Sequence, residues 1–378
     1  MTRTVLFAGG GTAGHVFPAI AVAQALQAMD PDLEPVFIGA ADRLEARLVP
    51  AAGFRLHTIE TPSIPRRLSP KLLRVPGALR RSVARCVELA AEEHAVAAVT
   101  FGGYVSFPVA RAAMRLGLPL VIHEQNAVPG LANRLASRWA DRIAVSVPGS
   151  ADRFRRAERC AVTGNPVRQD IATLDRDSLQ VEARERFGLE PDRPTLLVFG
   201  GSQGARSLNR AIVASHPRWG DQTLQVLHAT GRVTHEATAT AWAQAREQGG
   251  GPKVKVLDFI ESMADAYAAA DLVVCRAGAT SIAELTALGI PSILVPYPHA
   301  TADHQTENAR ALERAGGAIM IRDDDLDADA LLAACLPLLR EPERRHAMAD
   351  AARAFGRPDA ADNVARLVPT LLDERSAS

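Results

Sequence analysis

The chain has 378 residues, 47% of them hydrophobic, and balances 43 basic against 43 acidic side chains. It is long enough for two domains with separate cores, too apolar for extended disorder, and too evenly charged for a whole-surface nucleic-acid binder. The four cysteines, Cys86, Cys160, Cys275 and Cys335, lie far apart with no CxxC pair, which fits a reducing cytoplasm rather than a zinc site or a disulfide framework.

The N-terminal run "TVLFA" breaks at glycine, too short for a signal-peptide core, and no uncharged apolar stretch reaches the ~18 residues of a membrane span. Any membrane contact is therefore expected from the side. Along the first half, "TVLFAG", "EPVFIG", "VAAVTFG", "PLVIHE" and "RIAVSV" read as buried strands. In the second half "TLLVFGG", "LQVLHATG", "KVKVLDF", "DLVVCRAG", "SILVPYP" and "AIMI" read the same way. Segments with helical spacing lie between them, such as "VFPAIAVAQALQAM" and "SIAELTALG". That alternation predicts parallel sheets covered by helices, the α/β class.

Residues 4–14, "TVLFAGGGTAG", and 195–205, "TLLVFGGSQGA", share one design: strand, glycine-rich turn, helix. Two such openings predict two doubly wound domains. "CAVTGNPVRQD" (160–170) interrupts the pattern, so the boundaries are expected at 1–162 and 163–354, with a C-terminal helix in 355–378 packing back on the first domain.

Glycine turns before helices suit phosphate, because the backbone approaches closely and the helix N-terminus offers unpaired N–H groups. Residues 9–14, "GGGTAG", satisfy GxGxxG, yet the strand "EPVFIGA" ends without the acid a dinucleotide site requires; Asp42 sits late. Tight turns for helix–sheet packing are the plain alternative. A third candidate is "CRAGATSIAE", where Gly278 precedes a helix from about Ala279. Glu284 lies five residues on, about 7.5 Å of helix rise, near the separation of a nucleotide's pyrophosphate from its ribose hydroxyls. A carboxylate there can accept from both hydroxyls; an exposed helix glutamate is the alternative.

"GGGTAGHVFP", "FGGYVSFP", "HEQNAVPGLANR", "GNPVR", "GGSQGARSLN" and "CRAGATSIAE" follow in the order found in MurG-type enzymes, which the chain resembles from about residue 4 to about 310. These are undecaprenyldiphospho-muramoylpentapeptide N-acetylglucosaminyltransferases. The resemblance implies a GT-B fold, two Rossmann-like domains with the active site in the cleft between them. It implies inverting transfer of N-acetylglucosamine from UDP-GlcNAc to lipid I, giving lipid II, with no cofactor.

Carried onto this chain, the resemblance implies that Thr12, Ala13, Gly14 and Asn126 reach the donor sugar and phosphates from the first domain. Arg168, Ser202, Ile260 and the stretch Ala279, Thr280, Ser281, Ile282, Ala283 and Glu284 would hold uridine and pyrophosphate from the second. Gln305, with His304 beside it, would meet the sugar hydroxyls. Ala13, Ala277 and His304 depart from residues seen in some members: glycine, serine and a second glutamine. Other cell-wall synthesis proteins are candidate partners; nucleic acid is not.

Inverting transfer needs a base for the acceptor hydroxyl and stabilisation of departing UDP. His15, at the start of the first helix, is the expected base, since the dipole there disfavours its cation. A loop-holding or phosphate-orienting role is the alternative. Glu124 and His123, at a strand's carboxyl end, compete for the base role. Arg276 or Arg168 would help meet leaving-group charge, so no metal is expected. The DxD within "IRDDDLDAD" (321–329) reads as capping a helix from near Leu326.

Residues 63–86 hold Arg66, Arg67, Lys71, Arg74, Arg80, Arg81 and Arg85 without an acid, interleaved with Leu68, Leu72, Leu73, Val75 and Leu79. With a lipid-linked acceptor expected, this basic amphipathic stretch reads as peripheral attachment to anionic lipid on the cytoplasmic face of the plasma (inner) membrane. A helix covering the first core is the alternative. Pro65, Pro70 and Pro76 forbid one unbroken helix. Tyr104, in "GGYVSFP", could supply a turn for the acceptor diphosphate. Rival readings are a UDP-GlcNAc 2-epimerase, a dehydrogenase using the GxGxxG loop, and a non-catalytic sugar-nucleotide binder.

Overall fold

In the computed structural model, which describes residues 2–61, 75–201, 203–220, 224–247 and 249–377, the strands form two all-parallel sheets. The first contains β1 (Arg3–Ala8), β2 (Leu33–Gly39), β3 (Arg55–Thr58), β4 (Ala95–Thr100), β5 (Leu120–Glu124), β6 (Arg142–Val145) and β7 (Cys160–Val162). Its spatial order is β3-β2-β1-β4-β5-β6-β7. The second contains β8 (Thr195–Phe199), β9 (Gln225–Ala229), β10 (Lys253–Leu257), β11 (Leu272–Arg276), β12 (Ser292–Val295) and β13 (Ala318–Met320), in the order β10-β9-β8-β11-β12-β13. Each order reverses once, between β1 and β4 and between β8 and β11. Ligands of open α/β sheets bind at such switch points, outside the strands' carboxyl ends. The glycine turns after β1, β4, β8 and β11 all leave from these two places.

Helices cover both faces because successive strand residues point oppositely. In β1, Val5 and Phe7 join one core with Phe37, Val99 and the helix Ala13–Met29. Leu6 and Ala8 join the other with Ile38, Ala98 and the helices Val75–Glu92 and Ser106–Leu116. Two strands escape the sequence reading, β3 and β7. Both are short outer strands with no fully buried residue, so neither shows the apolar run that marks β5 or β8.

The chain divides into Met1–Arg168 with Pro358–Ser378, and Gln169–Arg357. These bounds fall a few residues beyond the expected 162 and 354. Residues 163–168 stay with the first unit because Thr163 and Gly164 donate to Val145 O (3.0 and 3.4 Å) and Gly164 O bonds the His123 ring. Phe355 still ends the second unit's helix Pro342–Phe355. The helix Ala360–Ser376 buries Val364, Ala365, Val368 and Leu371 in the core that contains Phe7. Its end is pinned by Glu374 on Arg142 (2.8 and 2.9 Å) and by Arg375 on Asp141.

Candidate active site

The loop leaving β1 is held from the side by a residue the sequence reading passed over. Glu45 is buried at the start of the helix Glu45–Ala51. Its carboxylate accepts from Gly11 N–H (2.9 Å) and Ala40 N–H (3.1 Å). A Cβ on Gly10 would sit 2.4 Å from that carboxylate, which is why glycine stands there. A carboxylate already occupies the Gly11 N–H, so that group is not a phosphate ligand. Glu45 was hidden because its partner lies 34 residues away. The other side of the loop meets the turn after β4: a Cβ on Gly103 (φ +84°) would lie 2.3 Å from Gly10 O.

His15 hangs inside this turn. Its Nδ1 lies 3.1 Å from Gly10 O and 3.1 Å from Thr12 Oγ1. A carbonyl oxygen only accepts, so Nδ1 carries a proton and, in the neutral ring, the lone pair is on Nε2. That nitrogen faces Gly102, whose Cβ would stand 3.1 Å from it. Thr12 and Ala13 are exposed and Gly14 half-buried at the start of a 17-residue helix.

The competing bases are otherwise employed. His123 is fully buried and pushed down to about 4, first by burial; its Nε2 is 3.1 Å from Gly164 O. Glu124 is buried, and its carboxylate accepts from Asn126 N (3.0 Å), Asn126 Nδ2 (3.3 Å), Gly130 N (3.0 Å) and Asn133 Nδ2 (2.9 Å). Burial raises its pKa against those bonds. Glu124 is thus the peg around which 124–133 folds. Asn126 is half-buried on that loop. Arg168 falls in the first unit rather than the second, its guanidinium 5.0 Å over the Phe17 ring. Tyr104 is half exposed.

In the second unit the helix Ala279–Leu288 leaves the end of β11, with Gly278 at its N-cap and no side chain capping it. Its first N–H groups point out of the switch point. Ala279, Thr280, Ser281 and Ala283 are half-buried, and Thr280 Oγ1 is buried with no hydrogen-bond partner among the described residues. Ile282 is buried, and its N–H donates to Gly278 O (3.0 Å). Glu284, 6% exposed, accepts from the Tyr267 hydroxyl at 2.9 Å. Ile260 is buried on the loop after β10.

Arg276 is a correction. It is locked at the strand end, donating to Asp323 (2.5 Å), Ser207 Oγ (2.9 Å), Val295 O (3.3 Å) and Pro296 O (3.1 Å). It ties loops together and is not held toward a leaving group. Asp323 is thereby spent, and the acidic stretch caps a helix as expected: Asp327 accepts from Ala330 N–H (2.8 Å) at the start of Ala328–Arg340. Gln305 Oε1 accepts from Tyr297 N–H (2.9 Å), so its amide nitrogen is the end left to meet an acceptor oxygen. His304 Nδ1 donates to Thr301 O (2.7 Å). The turn before it holds Ala302 and Asp303 at φ +53°, a strained conformation for residues with a Cβ.

Ser202, Arg66, Arg67, Lys71, Leu72, Leu73 and Arg74 lie outside the described residues. On the helix Val75–Glu92, Arg80 is exposed, whereas Leu79 is half-buried on the stripe continued by Val83, Cys86 and Ala90. Arg85 pairs with Glu88 and Glu92. Among the described residues no group of three His, Cys, Asp or Glu could hold a metal.

Two doubly wound units, each with glycine turns at its switch point, have the architecture of the GT-B fold, and residues 5–145 and 195–364 match the N- and C-terminal domains of glycosyltransferase family 28, which makes the chain a GT-B glycosyltransferase. The chain is 44% identical over 364 residues to the UDP-N-acetylglucosamine--N-acetylmuramyl-(pentapeptide) pyrophosphoryl-undecaprenol N-acetylglucosamine transferase of Acidothermus cellulolyticus, covering 96% of both chains. It therefore belongs to the MurG family of N-acetylglucosaminyltransferases. The crystal structure of Acinetobacter baumannii MurG superposes with a TM-score of 0.77 at 30% identity, covering 97% of this chain and 99% of that one. A UDP-GlcNAc 2-epimerase from Neisseria meningitidis superposes at 0.69, covering 99% of this chain and 100% of that one. Its identity is 13%, so that likeness is one of fold alone.

Proposed function

We infer that the enzyme moves N-acetylglucosamine from UDP-GlcNAc to lipid I, the undecaprenyl-diphospho-N-acetylmuramoyl-pentapeptide, giving lipid II with inversion at the anomeric carbon. One observation carries this: 44% identity over nearly the whole chain to a transferase whose name states that donor group and that acceptor. His15 takes the acceptor hydroxyl's proton on Nε2 as that oxygen attacks the anomeric carbon and UDP departs. The Nδ1 proton on Gly10 O supports this, because it leaves the correct nitrogen basic. The uncapped N-terminus at Ala279–Ser281 stabilises the pyrophosphate, Glu284 accepts from the ribose hydroxyls, and the Gln305 amide donates to a sugar hydroxyl.

The same reading attaches the protein peripherally to anionic lipid on the cytoplasmic membrane face through residues 63–86. Exposed Arg80 and Arg81 support it, and no described helix is long and apolar enough to cross a membrane. It also needs no divalent metal, since Asp323 and Asp327 in the acidic stretch are committed to Arg276 and a helix cap; turnover should persist in a chelator. The deciding experiment follows UDP release from UDP-GlcNAc with and without a soluble lipid I analogue, weighing the sugar product. Acceptor-dependent release with a disaccharide product is expected. Acceptor-independent formation of the manno epimer would move the assignment to the epimerases.

A further inference from the structure

Glu284 is buried in mid-helix, and a carboxylate in that setting has several rotamers but only one useful aim. The structure supplies what selects it. Tyr267, with no exposed surface, donates its hydroxyl to Glu284 Oε2 at 2.9 Å from the neighbouring helix Met263–Ala269. We propose that Tyr267 is a positioning residue for nucleotide recognition, fixing the Glu284 carboxylate so that it accepts the ribose hydroxyls of a uridine diphosphate. The inference rests on the ribose role given to Glu284 above.

Three observations support a positioning device rather than incidental packing. First, the bond is made by a donor that cannot wander: the Tyr267 ring stands edge-on to Phe199, centroids 6.2 Å apart, at the end of β8. Second, the backbone bearing it is gripped from behind. Arg176 Nε donates to Tyr267 O (3.1 Å) and Arg184 Nε to Ala269 O (3.1 Å), while Arg184 also pairs with Asp271 at 2.6 Å. Both arginines come from one helix, Arg176–Arg186. Third, the hydroxyl suits the task chemically. A carboxylate has about four acceptor positions, so a phenol donor does not by itself exclude a diol. A bond to a charged acceptor is worth more than a neutral one.

The test compares UDP with 2′-deoxy-UDP by calorimetry on the full-length protein. Tyr267→Phe keeps the buried ring and removes only the hydroxyl. Affinity for UDP should fall roughly tenfold, affinity for 2′-deoxy-UDP should fall much less, and the preference for the ribonucleotide should shrink. In turnover the KM for UDP-GlcNAc should rise by a similar factor with kcat and the acceptor KM little changed. Glu284→Gln, which alters the ribose-binding group itself, should give at least that loss, and adding Tyr267→Phe to it should cost nothing more. A merely structural tyrosine would lower the thermal midpoint without touching the ribose preference.

If Glu284→Gln abolishes that preference and a folded Tyr267→Phe retains it, the positioning role is wrong and the ribose role survives. If Glu284→Gln retains the preference, the ribose role falls and this inference falls with it. Additive losses in the double variant would also overturn it, because two residues acting through one contact cannot add.

Discussion

Proton placement at His15 follows from what surrounds it: Gly10 O takes the Nδ1 hydrogen, and Gly102 leaves room at Nε2. His15→Ala should lower kcat about 10²–10⁴-fold, the usual worth of a general base, with the UDP dissociation constant unchanged; turnover near the parent's rate in a folded variant would remove His15 from the mechanism. Gly102→Ala tests the same pocket without replacing the imidazole. Its φ of +93° strains any Cβ, and that Cβ would press on the ring at 3.1 Å, so both the thermal midpoint and kcat should drop. Glu45→Ala strips two backbone N–H groups of their acceptor and should cost about 1–3 kcal/mol of stability along with rate. His15 and Glu284 could be nominated from the sequence because each sits just past a glycine turn. Glu45 and Tyr267 were not, since their partners lie 34 and 17 residues off and only the fold brings them together. Arg276 misled for the converse reason: an arginine after a strand looks free until β12 and the loop carrying Asp323 arrive beside it.

Strands were legible where they carry an apolar run or a clear alternation. The central strands announce themselves as unbroken apolar runs, whereas β3 reads "RLHT" and β7 "CAV", which no period distinguishes from loop. On the other sheet the outer strand β10 keeps Lys253 and Lys255 exposed, a charged edge that discourages pairing with another chain. The helix Ala360–Ser376 shows how far a covering element can lie from the strands it covers. Val364, Val368 and Leu371 recur at helical spacing and complete a core begun at Val5, so this C-terminal segment is structural for the N-terminal unit. Leu371→Ala should therefore destabilise by about 2–5 kcal/mol, as large-to-small changes in a packed core do. Denaturant titration of the full chain would show it as a lower midpoint, and a loss below 1 kcal/mol would mean the helix end is only loosely docked.

Both units carry a buried neutral histidine, and this links the stability of the whole molecule to acid. His123 is pushed down to about 4 and His228 to about 3, in each case chiefly by burial. His228 could not charge without loss in any event: its Nδ1 accepts from Trp242 Nε1 (2.9 Å) while Nε2 donates to Asn209 Oδ1 (3.0 Å). The unfolded chain protonates these rings near 6.5. Their contribution is therefore fully present above pH 6.5 and is lost as the pH falls toward the folded values, at about 1.4 kcal/mol per pH unit for each ring. Glu124 works in the opposite sense, because burial raises its pKa. Its contribution is present below the unfolded value of 4.5 and is lost as the pH rises through the folded one. Stability measured by denaturant titration from pH 7.5 down to 4.5 should thus decline, with most of the fall below 6.5. His228→Gln, compared with the parent on slope rather than absolute stability, should make the decline shallower by about 1.4 kcal/mol per pH unit. An unchanged slope would mean that His228 is reached by solvent and protonated without unfolding, and the tryptophan bond would then not be what keeps it neutral.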